Sequence, residues 1–276
     1  MTLDLNRVLV TGGRGMVGRY ADFGLRPFRE ALDITDKTQA LAFIRTAKPS
    51  AILHLAAETD MRYCEAHPKE ALRVNAEATA TLAKAAAVGA RFVYLSTNAV
   101  FDGLKESPYD EDDIPYPVNA YGRSKYEGEE YVKAYAKEWL IVRTGWVFGG
   151  GRAGDKRFVG RIISQLKAPE IKAIADNFGA PTYAKDLMST IKELILSGKT
   201  GTVHVANSGI ASRFDQAKYI TDFFAYHGKI TPMYLRDLTG IPSSLKNEAL
   251  VSKTLRLRSW QEALSEYLKT EWPHNV

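Results

Sequence analysis

Short, nearly unbroken apolar runs alternate with longer polar–apolar segments through the first half of the chain. Residues 7–11, 51–57 (AILHLAA), 92–97 (FVYLST) and 140–144 (LIVRT) are the apolar runs. Such runs suit parallel strands covered on both faces. Residues 37–48, 69–88 and 121–137 carry helical periodicity, and the alanine-rich stretch 75–87 suits close packing on a sheet. Strands alternating with helices predict an α/β fold, a Rossmann-type doubly wound parallel sheet. The second half is less regular. Gly149-Gly150-Gly151 and the basic run to Arg157 read as a loop, residues 202–207 as one more strand. Beyond Gly209, helical and irregular segments mix without a repeat or a linker. The expectation is one body with a small C-terminal lobe. Residues 1–146 and about 177–207 would form the sheet domain, and about 147–176 and 208–276 the lobe.

Composition narrows the function. Of 276 residues, 45% are hydrophobic and 25% charged, as in ordinary globular proteins. No apolar run is long enough to span a bilayer, and no signal peptide is expected ahead of the first strand, since residues 1–7 lack the charged-then-apolar pattern. A lone cysteine, Cys64, allows no internal disulfide and fits a cytoplasmic location. The net charge of +5 is scattered among acidic residues, which argues against nucleic acid and admits a small anionic ligand such as a diphosphate. The five histidines lack zinc-type spacing, so no metal is expected. His54, inside an apolar run, reads as a core histidine, and the acidic run 110–113 as a solvated loop.

Two motifs carry chemistry. The first apolar run enters Gly12-Gly13-Arg14-Gly15-Met16-Val17-Gly18, a G-x-x-G-x-x-G turn. Glycines there permit a tight turn, close approach of a pyrophosphate and close helix–strand packing. The following helix would present its N-terminus to the phosphates. Arg14 in the turn, with Arg26 and Arg29 ahead of Asp33, favours a ribose 2′-phosphate, hence NADP(H) before NAD(H).

The second motif is Tyr121 with Lys125, at i and i+4 and so on one face of a helix. No other tyrosine has a lysine four residues later. Thr97 ends the preceding apolar run, at the strand edge where α/β sheets bind ligands. A phenol can donate a proton to a reduced carbonyl, a nearby ammonium would lower its pKa, and Thr97 can steady the developing oxyanion.

These blocks make the chain resemble the extended short-chain dehydrogenase/reductases, and among them the dTDP-4-dehydrorhamnose reductase group. The resemblance rests on Thr11–Gly18, L-D-I-T-D at 32–36, Ala56-Ala57-Glu58-Thr59, Ser96-Thr97-Asn98-Ala99-Val100-Phe101, Tyr121–Lys125, R-T-x-W-V-F at 143–148 and G-A-P-T at 179–182. It implies Thr97, Tyr121 and Lys125 as the catalytic set. It implies cofactor contacts from Gly12, Arg14, Gly15, Met16, Val17, Gly18, Asp33, Ile34, Ala56, Ala57, Tyr121 and Lys125. Asn75 would support the active site through its backbone. The substrate would be a nucleotide-diphosphate sugar bearing a keto group, met by Thr97, Asn98, Ala99, Tyr121 and Trp146, with Trp146 packed on the sugar. A homodimer is compatible with this reading.

The chain departs from the group at several points. Asn98 and Ala99 replace the usual Asp-Tyr, and Arg62 stands where Asp is usual. The R-P-x-x-S-x-L block reads Ser244-Leu245-Lys246-Asn247-Glu248-Ala249-Leu250, without the arginine expected to help hold diphosphate. Lys246 or Arg213 would substitute. The alternatives are a nucleotide-sugar epimerase of the same superfamily or a non-catalytic binding subunit.

Overall fold

The computed structural model describes residues 3–238 and 246–273. Its centre is a five-stranded parallel sheet. The strands are β1 (Val8–Thr11), β2 (Ala51–His54), β3 (Arg91–Thr97), β4 (Trp139–Thr144) and a fifth, Gly201–His204, adjacent in that order. Every residue of β1 and β2 is buried, as the unbroken apolar runs require. Leu25 bridges Leu9 on the far side of β1. The chain therefore leaves β1 in one direction and returns to β2 in the other. That reversal is the topological switch point where doubly wound sheets bind ligands.

Two apolar layers cover the sheet. One sets Leu187, Met188, Ile191 and Ile195 against Val8, Val10, Val93 and Val142. The other sets Ile44, Leu82, Ala83 and Val132 against Leu9, Ile52, Phe92 and Ile141. A separate core holds Phe148, Val159, Ile163, Ile171, Tyr183, Ala217, Ile220, Trp260, Leu264 and Tyr267. It belongs to the second half of the chain, where Glu170–Ile174 pairs in parallel with Lys229–Met233. Within the basic loop, Gly151–Gly154 forms one helical turn.

Two helical segments position the site. Residues 68–86 run as one path: Pro68–Leu72, a π-helical turn at Arg73–Glu77, and Ala78–Ala86. The Tyr121 helix spans Ala120–Tyr135 and is capped by Asn119, whose Oδ1 accepts from Gly122 N at 2.8 Å.

The first crossover differs from expectation. The glycine turn was expected to open a helix, but the chain makes only a 3₁₀ turn at Gly18–Tyr20 before reaching Leu25. Few residues separate β1 from Leu25, and several are spent on the turn itself. No multi-turn helix follows the glycine turn between β1 and Leu25.

Candidate functional site

The glycine turn opens onto a cavity of about 680 Å³. Gly12, Arg14, Gly15, Asp33, Ile34, Ala56 and Ala57 all line it. Gly12 has φ +68°, and a Cβ there would lie 2.7 Å from Ala56 N. Only glycine permits that approach of the turn to the end of β2. Met16, Val17 and Gly18 do not line the cavity. A Cβ on Gly18 would meet Gly13 Cα at 2.5 Å, so its role here is packing.

The three arginines separate. Arg14 stacks on Phe28, its Cζ 3.1 Å from the ring centroid, at the cavity wall. Arg29 pairs with Asp33 at 3.3 Å and also lines the cavity. Arg26 does not line it. Its guanidinium donates to Ala21 O at 2.7 Å and its stem packs on Gly13. Asp33 accepts from Thr35 N and Oγ1 at 2.9 and 2.7 Å, and these bonds lower its pKa.

Thr97 ends β3 and caps the 3₁₀ turn Asn98–Val100, accepting from Ala99 N at 3.1 Å. It lies beside the Tyr121 phenol and pulls the tyrosine pKa down. Burial pushes harder, so Tyr121 sits above its ordinary value. The Arg157 guanidinium also pulls it down. A neutral phenol is the form able to donate a proton. Lys125 is 3% exposed, with Nζ 4.0 Å from the Tyr94 ring centroid. Burial lowers its pKa to about 7, against the pull of Glu129.

The Tyr121 helix is fixed from behind. Glu129 is fully buried and makes a bidentate pair with Arg143, at 2.9 and 2.7 Å, while accepting from Ser96 at 2.5 Å. Asn75 donates to Ser124 Oγ at 2.9 Å and holds the Glu58 backbone from both sides, at 2.8 and 2.9 Å. The π-helical turn sets its carbonyl to accept from Thr79 and Tyr94, at 2.8 and 3.1 Å. Asn75 thus acts through its side chain as well as its backbone. His54 is a satisfied core histidine between Thr11 and Thr79, at 2.7 and 3.0 Å, its pKa lowered to about 3 by burial. Burial raises the Cys64 thiol to about 11, so it is not an activated nucleophile.

A second cluster adjoins Thr97. Trp146 has φ +49°, rare for a bulky residue, and is 8% exposed. Arg213 stacks on its ring at 3.5 Å, and Gly179 packs against it. Trp146 Nε1 donates to Glu248 Oε2 at 2.7 Å, and Asn98 Nδ2 to Glu248 O at 3.0 Å. The ring expected to meet a sugar is therefore covered by Arg213. Ala99 is buried, its carbonyl against Gly122. Arg213 is held by Gln216 at 3.2 Å, and burial lowers its pKa to about 10. Lys246 is exposed, its carbonyl accepting from Phe178 N at 2.8 Å, while Ser244 and Leu245 lie outside the described residues. The acidic run is tied down rather than freely solvated: Lys105 pairs with Asp113 at 2.6 Å, and distant Ser252 donates to Glu111 at 2.6 Å.

The family model described as the RmlD substrate binding domain matches residues 6–272. The chain belongs to this family. It is 39% identical over 225 residues to dTDP-4-dehydrorhamnose reductase of Mycolicibacterium smegmatis, covering 77% of this chain and 67% of that one. It is 32% identical to the enzyme of that name from Burkholderia thailandensis, covering 94% and 96%. Its structure superposes on dTDP-4-dehydrorhamnose reductase of Bacillus anthracis, solved in complex with NADP, with TM-score 0.90 and 31% identity over 98% and 99% of the chains.

Within this RmlD-type frame, sequence reading missed two polar residues. Glu248, which holds the Trp146 indole, lies in a block whose usual serine would not draw attention to an acid. Arg157 donates to Thr59 at 2.6 Å, joining the basic loop to the loop after β2. Its neighbourhood to Tyr121 is a tertiary fact with no local signal. Among the described residues no His, Cys, Asp and Glu group is arranged for a metal, and no helix is long and apolar enough to cross a membrane.

Proposed function

We propose that this protein reduces a keto group on a nucleotide-linked (6-deoxy)sugar with NADP(H), NAD(H) being the weaker cofactor. The observation that carries the reading is the placement of Thr97 beside the Tyr121 phenol at the carboxyl edge of β3, with buried Lys125 one helical turn on. The fold alone would not establish a function.

The residues fit a dinucleotide. The bare backbone at Gly12 faces the cavity, and Arg14 and Arg29 bring cationic groups to its wall. Gly12 and Gly15 would take the pyrophosphate, Asp33 and Ile34 the adenosine, Ala56 and Ala57 the adjoining sugar. The reduced nicotinamide supplies the hydride when bound. Tyr121, held neutral by burial, gives its proton to the keto oxygen. Thr97, turning its hydroxyl from Asn98 Oδ1, would donate a hydrogen bond to that oxygen as charge builds there. Lys125 would hold the nicotinamide ribose and, while protonated, would supply positive charge to the same edge. Residues 1–146 and about 177–207 form the cofactor half in this reading, and the separate apolar core supports a second, substrate half. Substrate contact with Trp146 requires Arg213 to leave its ring, since the guanidinium covers it.

Steady consumption of NADPH with a dTDP-linked 4-keto-6-deoxysugar tests the proposal. Tyr121→Phe is expected to lower kcat by about 10²–10⁴-fold with NADPH affinity kept. Protein that purifies with cofactor bound and consumes none would instead indicate an epimerase.

A further inference from the structure

Six threonines are buried among the described residues: Thr11, Thr79, Thr97, Thr144, Thr182 and Thr221. Five of them spend their hydroxyls within the protein. Thr11 bonds His54, Thr79 bonds Asn75 O, Thr182 bonds Ala180 O and Thr221 bonds Lys218 O. Thr97 accepts from Ala99 N and donates to Asn98 Oδ1 at 3.1 Å. Thr144 is 5% exposed, and its Oγ1 has no partner among the described residues.

Its place explains why that matters. Thr144 is the last residue of β4, and the parallel register sets it directly opposite Thr97 on β3. Paired residues of neighbouring parallel strands present their side chains to the same face. The unpaired hydroxyl thus stands one strand from Thr97, the residue beside the Tyr121 phenol, at the carboxyl edge where open α/β sheets receive ligands. Immediately afterwards the chain turns: a Cβ on Gly145 would meet Asn98 Cγ at 2.6 Å, and Trp146 takes positive φ. Valine would fill the same volume without an unmade hydrogen bond, so the hydroxyl burdens the ligand-free fold.

We propose that Thr144 is a ligand-binding residue whose hydroxyl is completed by a neutral amide or hydroxyl group of a bound ligand at the Thr97–Tyr121 edge. The inference rests on the reading of that edge as the reaction centre. Two sources carry the chemistry: the carboxamide of the nicotinamide and a hydroxyl of the sugar. A hydroxyl can donate to or accept from either.

Thr144→Val and Thr144→Ser separate the outcomes. The measurements are thermal unfolding of the ligand-free full chain, titration with NADP⁺, and titration of the NADP⁺-loaded protein with dTDP-glucose. For Thr144→Val the expected result is a melting temperature equal to or above wild type, with one affinity reduced about tenfold. Thr144→Ser should recover that affinity. Loss confined to NADP⁺ identifies the carboxamide, and loss confined to dTDP-glucose identifies the sugar hydroxyl. Both affinities within twofold of wild type would overturn the inference, as would a lowered melting temperature accompanied by loss of both. Wild-type protein that binds neither ligand would overturn the nucleotide-sugar reading itself, and this inference with it.

Discussion

Gly128 and Asn75 meet where the Tyr121 helix crosses the π-helical turn: a Cβ at residue 128 would lie 2.6 Å from the Asn75 carbonyl oxygen. It would also strike the Tyr94 hydroxyl. The absent side chain lets the helix carrying Tyr121 and Lys125 settle against the residue that organises the loop after β2. In an open helix, Gly→Ala gains about 1 kcal/mol. Here overpacking opposes it at about 1–3 kcal/mol. Gly128→Ala is therefore expected to lower stability and turnover together. Urea unfolding read beside kcat checks this, and a more stable, fully active variant would contradict it.

Lys125 gives a pH dependence with a definite sign. Its pKa falls from 10.5 to about 7 because burial disfavours the charged form. Between those values the unfolded chain binds more protons than the folded one, so this group's contribution to stability rises with pH. The burial cost is full below about 7 and is relieved above it. Lys125→Met should thus be more stable than wild type at about pH 6, with the gap closing toward about pH 10. NADP⁺ affinity of the wild type should fall as pH rises through about 7, because the ammonium loses its charge. Denaturant titrations and NADP⁺ binding across that range test both statements. A gap that widens with pH would refute the assignment.

Arg14 is the residue proposed to set cofactor choice. Stacking on Phe28 holds the guanidinium at the cavity wall, where a 2′-phosphate can take a charge-assisted hydrogen bond. Arg14→Ala should reduce the ratio of kcat/KM for NADPH over NADH by about 10-fold or more. An unchanged ratio would move the role to Arg29. Arg26→Ala should leave the ratio near wild type, since its guanidinium is spent on Ala21 O.

Much of this was legible in the chain. The four early apolar runs became β1–β4 because strands buried on both faces leave no polar alternation to misread. Tyr121 and Lys125 were legible because i, i+4 spacing is local. The missing crossover helix was not, since a glycine turn and a glycine turn plus helix begin with the same residues. Only the short distance to Leu25 separates them. Arg26 and Arg29 look alike in sequence, and one hydrogen bond to Ala21 O divides their roles. Glu248 meets Trp146 from about a hundred residues away, and Arg157 meets Thr59 from as far. Thr144 differs from the other buried threonines only in lacking a partner, which no sequence pattern encodes.

The central claim is hydride transfer from the nicotinamide to a sugar carbon at the Thr97–Tyr121 edge. Its most direct test uses NADPH deuterated at the transferable position of the nicotinamide, with a dTDP-linked 4-keto-6-deoxysugar, and locates the label in the product by mass spectrometry and NMR. Stoichiometric deuterium on the former keto carbon, with transfer slowed severely in Tyr121→Phe, is the expected result. A sugar returned unlabelled, or labelled as fast in Tyr121→Phe as in wild type, would contradict the account.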